Sequence, residues 1–153
     1  MQDFLDRLQQ CVSSPLLKGG DVTARYQHDW SAEPPGLPLA VVRPSTTQEV
    51  AAVLGLCSEY GQAVVVQGGL SGLCGGGNPR NGEVAISLER LSGIEELDRD
   101  SMTMTVKAGT PLQVIQEAAT AAGFAFPLDL GARGTCNIGG NISTNAGGNQ
   151  VLR

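Results

Sequence analysis

Val64-Val65-Val66-Gln67-Gly68-Gly69-Leu70-Ser71-Gly72-Leu73-Cys74-Gly75-Gly76-Gly77-Asn78-Pro79 is the stretch on which the rest of the chain turns. A β-branched run stops abruptly at a loop dense in glycine, with one hydroxyl and no charged side chain. Ordering glycine costs conformational entropy, so a cluster of it needs a reason. One reason is a concavity of successive backbone N–H groups that holds an anion. A diphosphate suits it, because missing side chains let the backbone approach closely. The other reason is a wide turn between two strands, and this loop by itself leaves both readings open.

A second stretch breaks the tie: Leu130-Gly131-Ala132-Arg133-Gly134-Thr135-Cys136-Asn137-Ile138-Gly139-Gly140-Asn141-Ile142-Ser143-Thr144-Asn145-Ala146-Gly147-Gly148-Asn149. It offers amides, carbonyls and hydroxyls but only one charge, Arg133. That composition suits a large polar, mostly uncharged ligand held by many hydrogen bonds. Two such loops in one small domain are hard to explain as turns. The doubly wound dinucleotide fold needs G-x-G-x-x-G opening a helix, and no glycines here have that spacing. The first loop leads instead into Glu83-Val84-Ala85-Ile86-Ser87-Leu88, a strand pattern. A P-loop needs a lysine closing its glycines, and neither Lys18 nor Lys107 does so.

The arrangement resembles the PCMH-type flavin-binding domain of the FAD-linked oxidases, the vanillyl-alcohol oxidase superfamily. Within it, the chain is most similar to the D-2-hydroxyacid dehydrogenase flavoproteins, the group of the D-2-hydroxyglutarate, glycolate and D-lactate enzymes. The resemblance covers roughly residues 25–153. It is carried by Tyr26-Gln27-His28-Asp29-Trp30, Val42-Arg43-Pro44-Ser45-Thr46, Gln67-Gly68-Gly69, Thr135-Cys136-Asn137-Ile138-Gly139-Gly140-Asn141 and Thr144-Asn145-Ala146-Gly147-Gly148. Similar loops occur in sugar-lactone oxidases, alkyl-glycerone phosphate synthases and a cell-wall reductase, but Asp29-Trp30 and residues 144–148 favour the hydroxyacid branch.

The resemblance implies FAD lying between two lobes. Gln67, Gly68, Gly69, Leu70, Ser71 and Gly72 would cradle its pyrophosphate with backbone amides. Ser71 stands where the family usually has threonine, and Leu70 departs from the usual polar residue. Pro127, Gly131, Thr135, Cys136, Ile138, Gly139, Gly140, Ser143 and Gly147 would line the flavin and ribityl path. Some relatives attach FAD through a histidine in the first loop, which Leu70 excludes here. Cys136 sits nearer Gly139-Gly140 than the attachment cysteine of other relatives, so non-covalent FAD is expected. The full-length protein would dehydrogenate a small D-2-hydroxy acid to the 2-oxo acid and pass electrons to an acceptor other than nicotinamide. No catalytic base or metal ligand set is visible. The chain is therefore expected to be an inactive N-terminal fragment, C-terminally incomplete and ending inside the flavin domain at Val151-Leu152-Arg153. Strand edges left open in this way would invite self-association. The alternative is a non-catalytic or degenerate flavin-binding or interaction module.

Composition bounds these readings. The 153 residues are 41% hydrophobic and 16% charged, enough for a real core and too apolar for disorder. Aromatics are 4%, so aliphatic residues must fill that core. A net charge of -5 argues against nucleic acid as a partner. Cys11, Cys57, Cys74 and Cys136 form no C-x-x-C pair, so neither zinc nor a redox motif is supported. Scattered thiols fit a reducing cytoplasm. The acidic and polar N-terminus is no secretory signal, and no apolar run is long enough to span a bilayer.

The pattern along the chain predicts α+β: a small β-α-β lobe, then a partly truncated antiparallel lobe. Residues 1–33 would be an N-terminal helix and linker, and residues 34–153 the FAD-binding domain. Phe4, Leu5, Leu8, Cys11 and Val12 share one face of a first helix. His28 reads as a surface or linker residue. Strands are expected at 39–42, 63–66, 84–88, from 94 and over 102–108. Thr46 and Glu49 have capping-box spacing for a helix striped by Val50, Val53, Leu54 and Cys57 and stopped by Gly61. Thr110, Pro111 and Gln113 predict a second capped start, with Leu112, Ile115, Ala118, Ala119 and Ala122 inward and Gly123 as the stop.

Overall fold

The computed structural model describes residues 2–150, so the closing Val151-Leu152-Arg153 lies outside the described residues. Three short strands, β1 (Ala40–Val42), β2 (Val64–Gln67) and β3 (Val84–Ser87), form a parallel sheet of order β1-β3-β2. β3 lies between its partners, with Val41 and Val65 both opposite Ala85. A parallel central strand is covered on both faces and should be continuously apolar. Val84, Ala85 and Ile86 accordingly are all buried. An antiparallel pair, β4 (Ile94–Asp98) and β5 (Thr103–Val106), follows, with a register shift between Ile94 and Glu96. The α+β architecture with a β-α-β lobe is therefore as expected.

Four helices complete the described residues: α1 (Gln2–Gln10), α2 (Thr47–Glu59), α3 (Leu112–Ala121) and α4 (Ile138–Ser143), besides three single 3₁₀ turns. α1 buries Phe4, Leu5 and Leu8 in the same core as Val53, Leu56 and Cys57 of α2 and Val84 and Ile86 of β3. Each such side chain, fully buried, contributes about 1.5–3 kcal/mol. α2 begins as its spacing predicts, since the Glu49 N–H donates to Thr46 Oγ1 at 3.1 Å. The return half of the box reaches one residue further back. Glu49 Oε2 accepts the Ser45 N–H at 2.6 Å, while Oε1 accepts the Ser13 N–H at 2.8 Å and ties the end of α1 to α2. These bonds, the Ser45 amide first, hold the Glu49 carboxyl down at about 2. Leu54 is exposed, and Leu56 takes the buried place expected for it. The helix needs the stripe one step round because α1 also lies against that side.

The helix α3 corrects a second expectation. Thr110 does not cap it: no side chain does, and Pro111 holds the cap position. Thr110 Oγ1 instead accepts the Gly93 N–H at 2.9 Å and donates toward Gly93 O and Lys107 O at 3.0 and 2.6 Å. A fully buried hydroxyl serves the base of the β4–β5 hairpin better than an open helix end. Gln113 turns to Glu117 at 2.8 Å, not back to a cap.

α2, α3 and α4 end alike. In each, the second residue past the cap donates to the carbonyl five positions back: Gln62 to Cys57, Phe124 to Ala119, and Ala146 to Asn141, at 2.8–2.9 Å. This closure needs a left-handed residue just past the cap. Gly61 and Gly123 supply it at φ 61° and 86°, and Asn145 does so at φ 49°. α4 was not legible as a helix, because two glycines and an asparagine occupy its six positions.

Candidate functional site

The first glycine loop leaves the carboxyl end of β2, the side of an open parallel sheet where ligands bind. Gln67 closes the strand. Its side chain is wholly buried, with Nε2 donating to Tyr26 O and Gly77 O, each at 2.9 Å, and Oε1 buried without a hydrogen-bond partner. The loop is thus pinched from beneath, and Gln67 shapes it from within. Leu70 holds φ 53°, a left-handed conformation unusual for a bulky residue. Among the described residues, no backbone N–H of residues 69–74 has a hydrogen-bond acceptor. These donors are free to face a ligand. Leu70 and Ser71 are half-buried, and Gly72 is exposed.

The second loop is seated directly against the first. A Cβ on Gly69 would stand 1.8 Å from Thr135 O and 2.9 Å from Cys136 Cα. One on Gly68 would meet the Asn137 side chain at 3.3 Å. Two loops about seventy positions apart in sequence therefore touch, backbone on backbone. The second loop is also stitched to the entry of α3. Leu112 N–H donates to Cys136 O, Ile138 N–H to Thr110 O and Gly139 N–H to Ala108 O, at 2.9–3.1 Å. Cys136 is buried among Leu112 and Leu128, so its thiol packs in the interior.

Beyond this seat α4 forms one wall of a cleft of about 310 Å³. Pro127 and Ile138, both expected at the site, line it together with Phe126, Leu128, Asn141 and Ile142. Gly139, Gly140 and Ser143 also lie on α4, with Ser143 Oγ donating to Gly139 O at 2.8 Å. Gly147 and Gly131 are exposed and do not line the cleft, and neighbouring Gly148 packs on Asp129 O. Asn141 was missed by the sequence reading. It is 8% exposed, and its Oδ1 is buried without a hydrogen-bond partner at the cleft. An orphaned acceptor of this kind costs about 1–3 kcal/mol unless a donor meets it. Nothing in the local pattern marks Asn141 apart from the other asparagines.

Two groups of glycines stand out. Gly36, Gly69, Gly109, Gly139 and Gly148 are required by the fold, because a Cβ there would strike protein backbone or a Cβ at 1.8–2.8 Å. Gly20, Gly55, Gly76, Gly131, Gly140 and Gly147 have nothing within 4 Å and no positive φ, and the last four lie in the two loops. Local packing gives the four loop glycines no reason to be glycine, and close approach of a ligand to the backbone would supply one. Free N–H groups in the first loop, an unpartnered amide oxygen at the cleft and open glycines in both loops together fit a dinucleotide. The one cation of the second loop, Arg133, lies 3.8 Å from Asp129 and is already partnered.

A parallel β-α-β lobe whose glycine loop closes on a second, polar loop defines a cofactor-binding domain of the FAD-linked oxidase kind. Residues 38–153 match the FAD binding domain family, and the chain belongs to it. D-2-hydroxyglutarate dehydrogenase of Xanthomonas citri pv. viticola is 42% identical over 147 residues, covering 95% of this chain and 31% of that protein. The mitochondrial D-2-hydroxyglutarate dehydrogenase of Bos taurus is 36% identical over 152 residues, covering 99% and 28%. The solved structure of an alkyldihydroxyacetonephosphate synthase superposes at a TM-score of 0.84, over 97% of this chain and 30% of that one. At 20% identity this last likeness shows the fold. The chain thus spans about 30% of the length of the curated relatives it matches. Among the described residues no helix is long and apolar enough to cross a membrane.

Proposed function

We propose that the chain holds FAD non-covalently at the junction of its two loops. The observation that carries this is the seating of Gly69 on Thr135 beside a run of backbone N–H groups with no acceptor. The amides of residues 68–72 would donate to the diphosphate, with Gln67 fixing the loop beneath them. Asn141 Oδ1 would accept an N–H of the cofactor, and Pro127, Ile138 and Ile142 would keep water from it. Gly131, Thr135, Gly139, Gly140, Ser143 and Gly147 would border the remaining path. Leu70 cannot form a covalent link to flavin, and the burial of Cys136 among Leu112 and Leu128 supports non-covalent binding. When bound, FAD supplies two-electron redox chemistry that no side chain here provides.

In the complete protein this domain would serve a dehydrogenase that converts a D-2-hydroxy acid to its 2-oxo acid. The two dehydrogenase relatives support that substrate class. The base and the substrate-binding groups would come from residues beyond this chain, and the chain alone would not turn over. Its four free cysteines support a reducing compartment, the cytoplasm. The test is a visible spectrum of the purified chain before and after adding FAD, followed by acid precipitation. Structured flavin bands that pass wholly into the supernatant are expected. A chain that takes up no flavin rejects the reading, and flavin left in the pellet rejects non-covalent attachment.

A further inference from the structure

Residues 26–31 have no part in the flavin contacts above, yet they carry the ties that shape the first glycine loop. At the loop's two ends, the buried Gln67 amide joins Tyr26 O to Gly77 O. At its middle, the Trp30 N–H donates to Gly72 O at 2.9 Å. At its exit, the Asp29 N–H donates to Asn78 Oδ1 at 2.5 Å, and Asn78 Nδ2 donates to Ser31 Oγ at 3.2 Å. The Asp29 carboxylate, 4% exposed, turns back into the segment and accepts the Ser31 N–H at 2.9 Å. Burial pushes that carboxyl up, but hydrogen bonds from Ser31 and the Gly75 N–H outweigh it and hold Asp29 below the usual carboxylate range. The segment is anchored in turn. Tyr26 Oη donates to Glu89 at 2.8 Å and Arg25 pairs with Glu89 at 2.6 Å, just past β3.

Little within the loop fixes the direction of its own N–H groups. Glycine backbone is conformationally permissive, so an untied loop would spread those donors over many directions. We infer that residues 26–31 are the positioning element of the diphosphate loop, with Asp29 and Asn78 setting the affinity for FAD without touching it. This rests on the flavin reading above. Holding the donors convergent before binding removes the cost of ordering them afterwards.

The test compares the wild-type chain with Asp29→Asn, Asn78→Ala and Ser31→Ala. FAD affinity is read from quenching of Trp30, the sole tryptophan, whose backbone lies in the tie. Hydrogen exchange at residues 68–78 and in β3, and thermal melting, are measured without ligand. Asp29→Asn and Asn78→Ala should bind FAD at least tenfold more weakly and Ser31→Ala several-fold. Exchange at residues 68–78 should quicken while β3 keeps its protection. Affinities within twofold of wild type, or weakening matched by lost protection throughout β3, overturn the inference. Should Asp29→Asn fail to fold, Ser31→Ala, at the accessible end of the tie, decides. A wild-type chain that binds no FAD rejects the flavin reading as well, whereas equal binding by all four chains rejects only the positioning role.

Discussion

Replacing Gly140 by alanine should make the free protein more stable and the complex weaker, an opposition that no purely structural role produces. Gly140 lies inside α4, is exposed, and a Cβ there meets nothing within 4 Å. Alanine in a helix interior is favoured over glycine by about 0.5–1 kcal/mol. For a domain of this size each kcal/mol moves the melting temperature by about 2–4 °C. Gly140→Ala should therefore raise the ligand-free midpoint by about 1–4 °C in a calorimetric scan. The same methyl projects about 1.5 Å from the backbone, one carbon–carbon bond. If a cofactor lies against that backbone, the contact must open, and a loss of about 10–100-fold in FAD affinity is expected, equivalent to about 1.4–2.8 kcal/mol. Gly55→Ala is the matched control. Gly55 sits in α2 with equally open surroundings and outside both loops, so it should raise the midpoint and leave FAD binding alone. A stabilised Gly140→Ala protein with unchanged affinity would show that this face of α4 meets only solvent. A lowered midpoint would show that the outer face of α4 at Gly140 is packed rather than open.

Three further outcomes follow from the geometry. Gly69→Ala must part the loops by about 1.6 Å, from 1.8 Å to an ordinary contact of 3.4 Å at Thr135 O. Overpacking of this kind costs about 1–3 kcal/mol, so the midpoint should fall by about 2–12 °C, while Gly76→Ala in the same loop should change it little. Leu70→Asn should stabilise the chain by up to about 1 kcal/mol and Asn145→Ala should destabilise it by a similar amount, because asparagine tolerates the left-handed region that both positions occupy; urea melts decide both. Glu49 has a folded pKa near 2 against an ordinary 4.5, so its contribution is complete above 4.5 and is lost as pH falls through 2. Glu49→Gln should lower the midpoint at neutral pH and flatten its decline between pH 5 and pH 2, measured by thermal scans across that range.

The fold was legible where a residue's reason is local. The β-branched runs at 40–42, 64–66 and 84–86, the Thr46 cap and the Gly61 and Gly123 stops each act within a few positions. Misreadings came where a distant partner competes. Thr110 had the right spacing to cap α3, but Gly93, seventeen positions back, claims its hydroxyl. Leu54 and Leu56 differ in burial because α1 packs on one side of α2, which a helical stripe alone does not reveal. α4 was hidden by its own glycines, whose low helix propensity is overcome by ties to Ala108 and Thr110. At the site, both loops could be seen in composition. Their contact could not, since it depends on Gly69 meeting Thr135. The side chain of Gln67 has the same origin: its Nε2 is taken by Gly77 O and by Tyr26 O, the latter 41 positions away.

The close approaches form a circuit, and the circuit explains why the site can exist before any ligand arrives. The carboxyl end of β3 leads to Leu88 and Leu91, whose carbonyls lie 1.9 and 2.7 Å from a Cβ placed on Gly109. Next to Gly109, Ala108 seats Gly139 of α4 and accepts its N–H at 2.9 Å. The chain preceding α4 presents Thr135 to Gly69, and Gly69 returns through Gln67 to β2, the neighbour of β3 in the sheet. Each glycine of the circuit sits against protein backbone or, at Gly139, the Ala108 Cβ, where any larger residue would strike protein. Such contacts leave little room for the two loops to drift apart, so the separation of their N–H groups is set by the sheet and the hairpin. A site of this kind spends less of its binding free energy on ordering itself. It also makes affinity sensitive to residues remote from the ligand: loosening Gly109 at the hairpin displaces Gly139, and through the second loop shifts the seat of Gly69. The glycines that face open space can then be reserved for the cofactor, because the others already hold the frame.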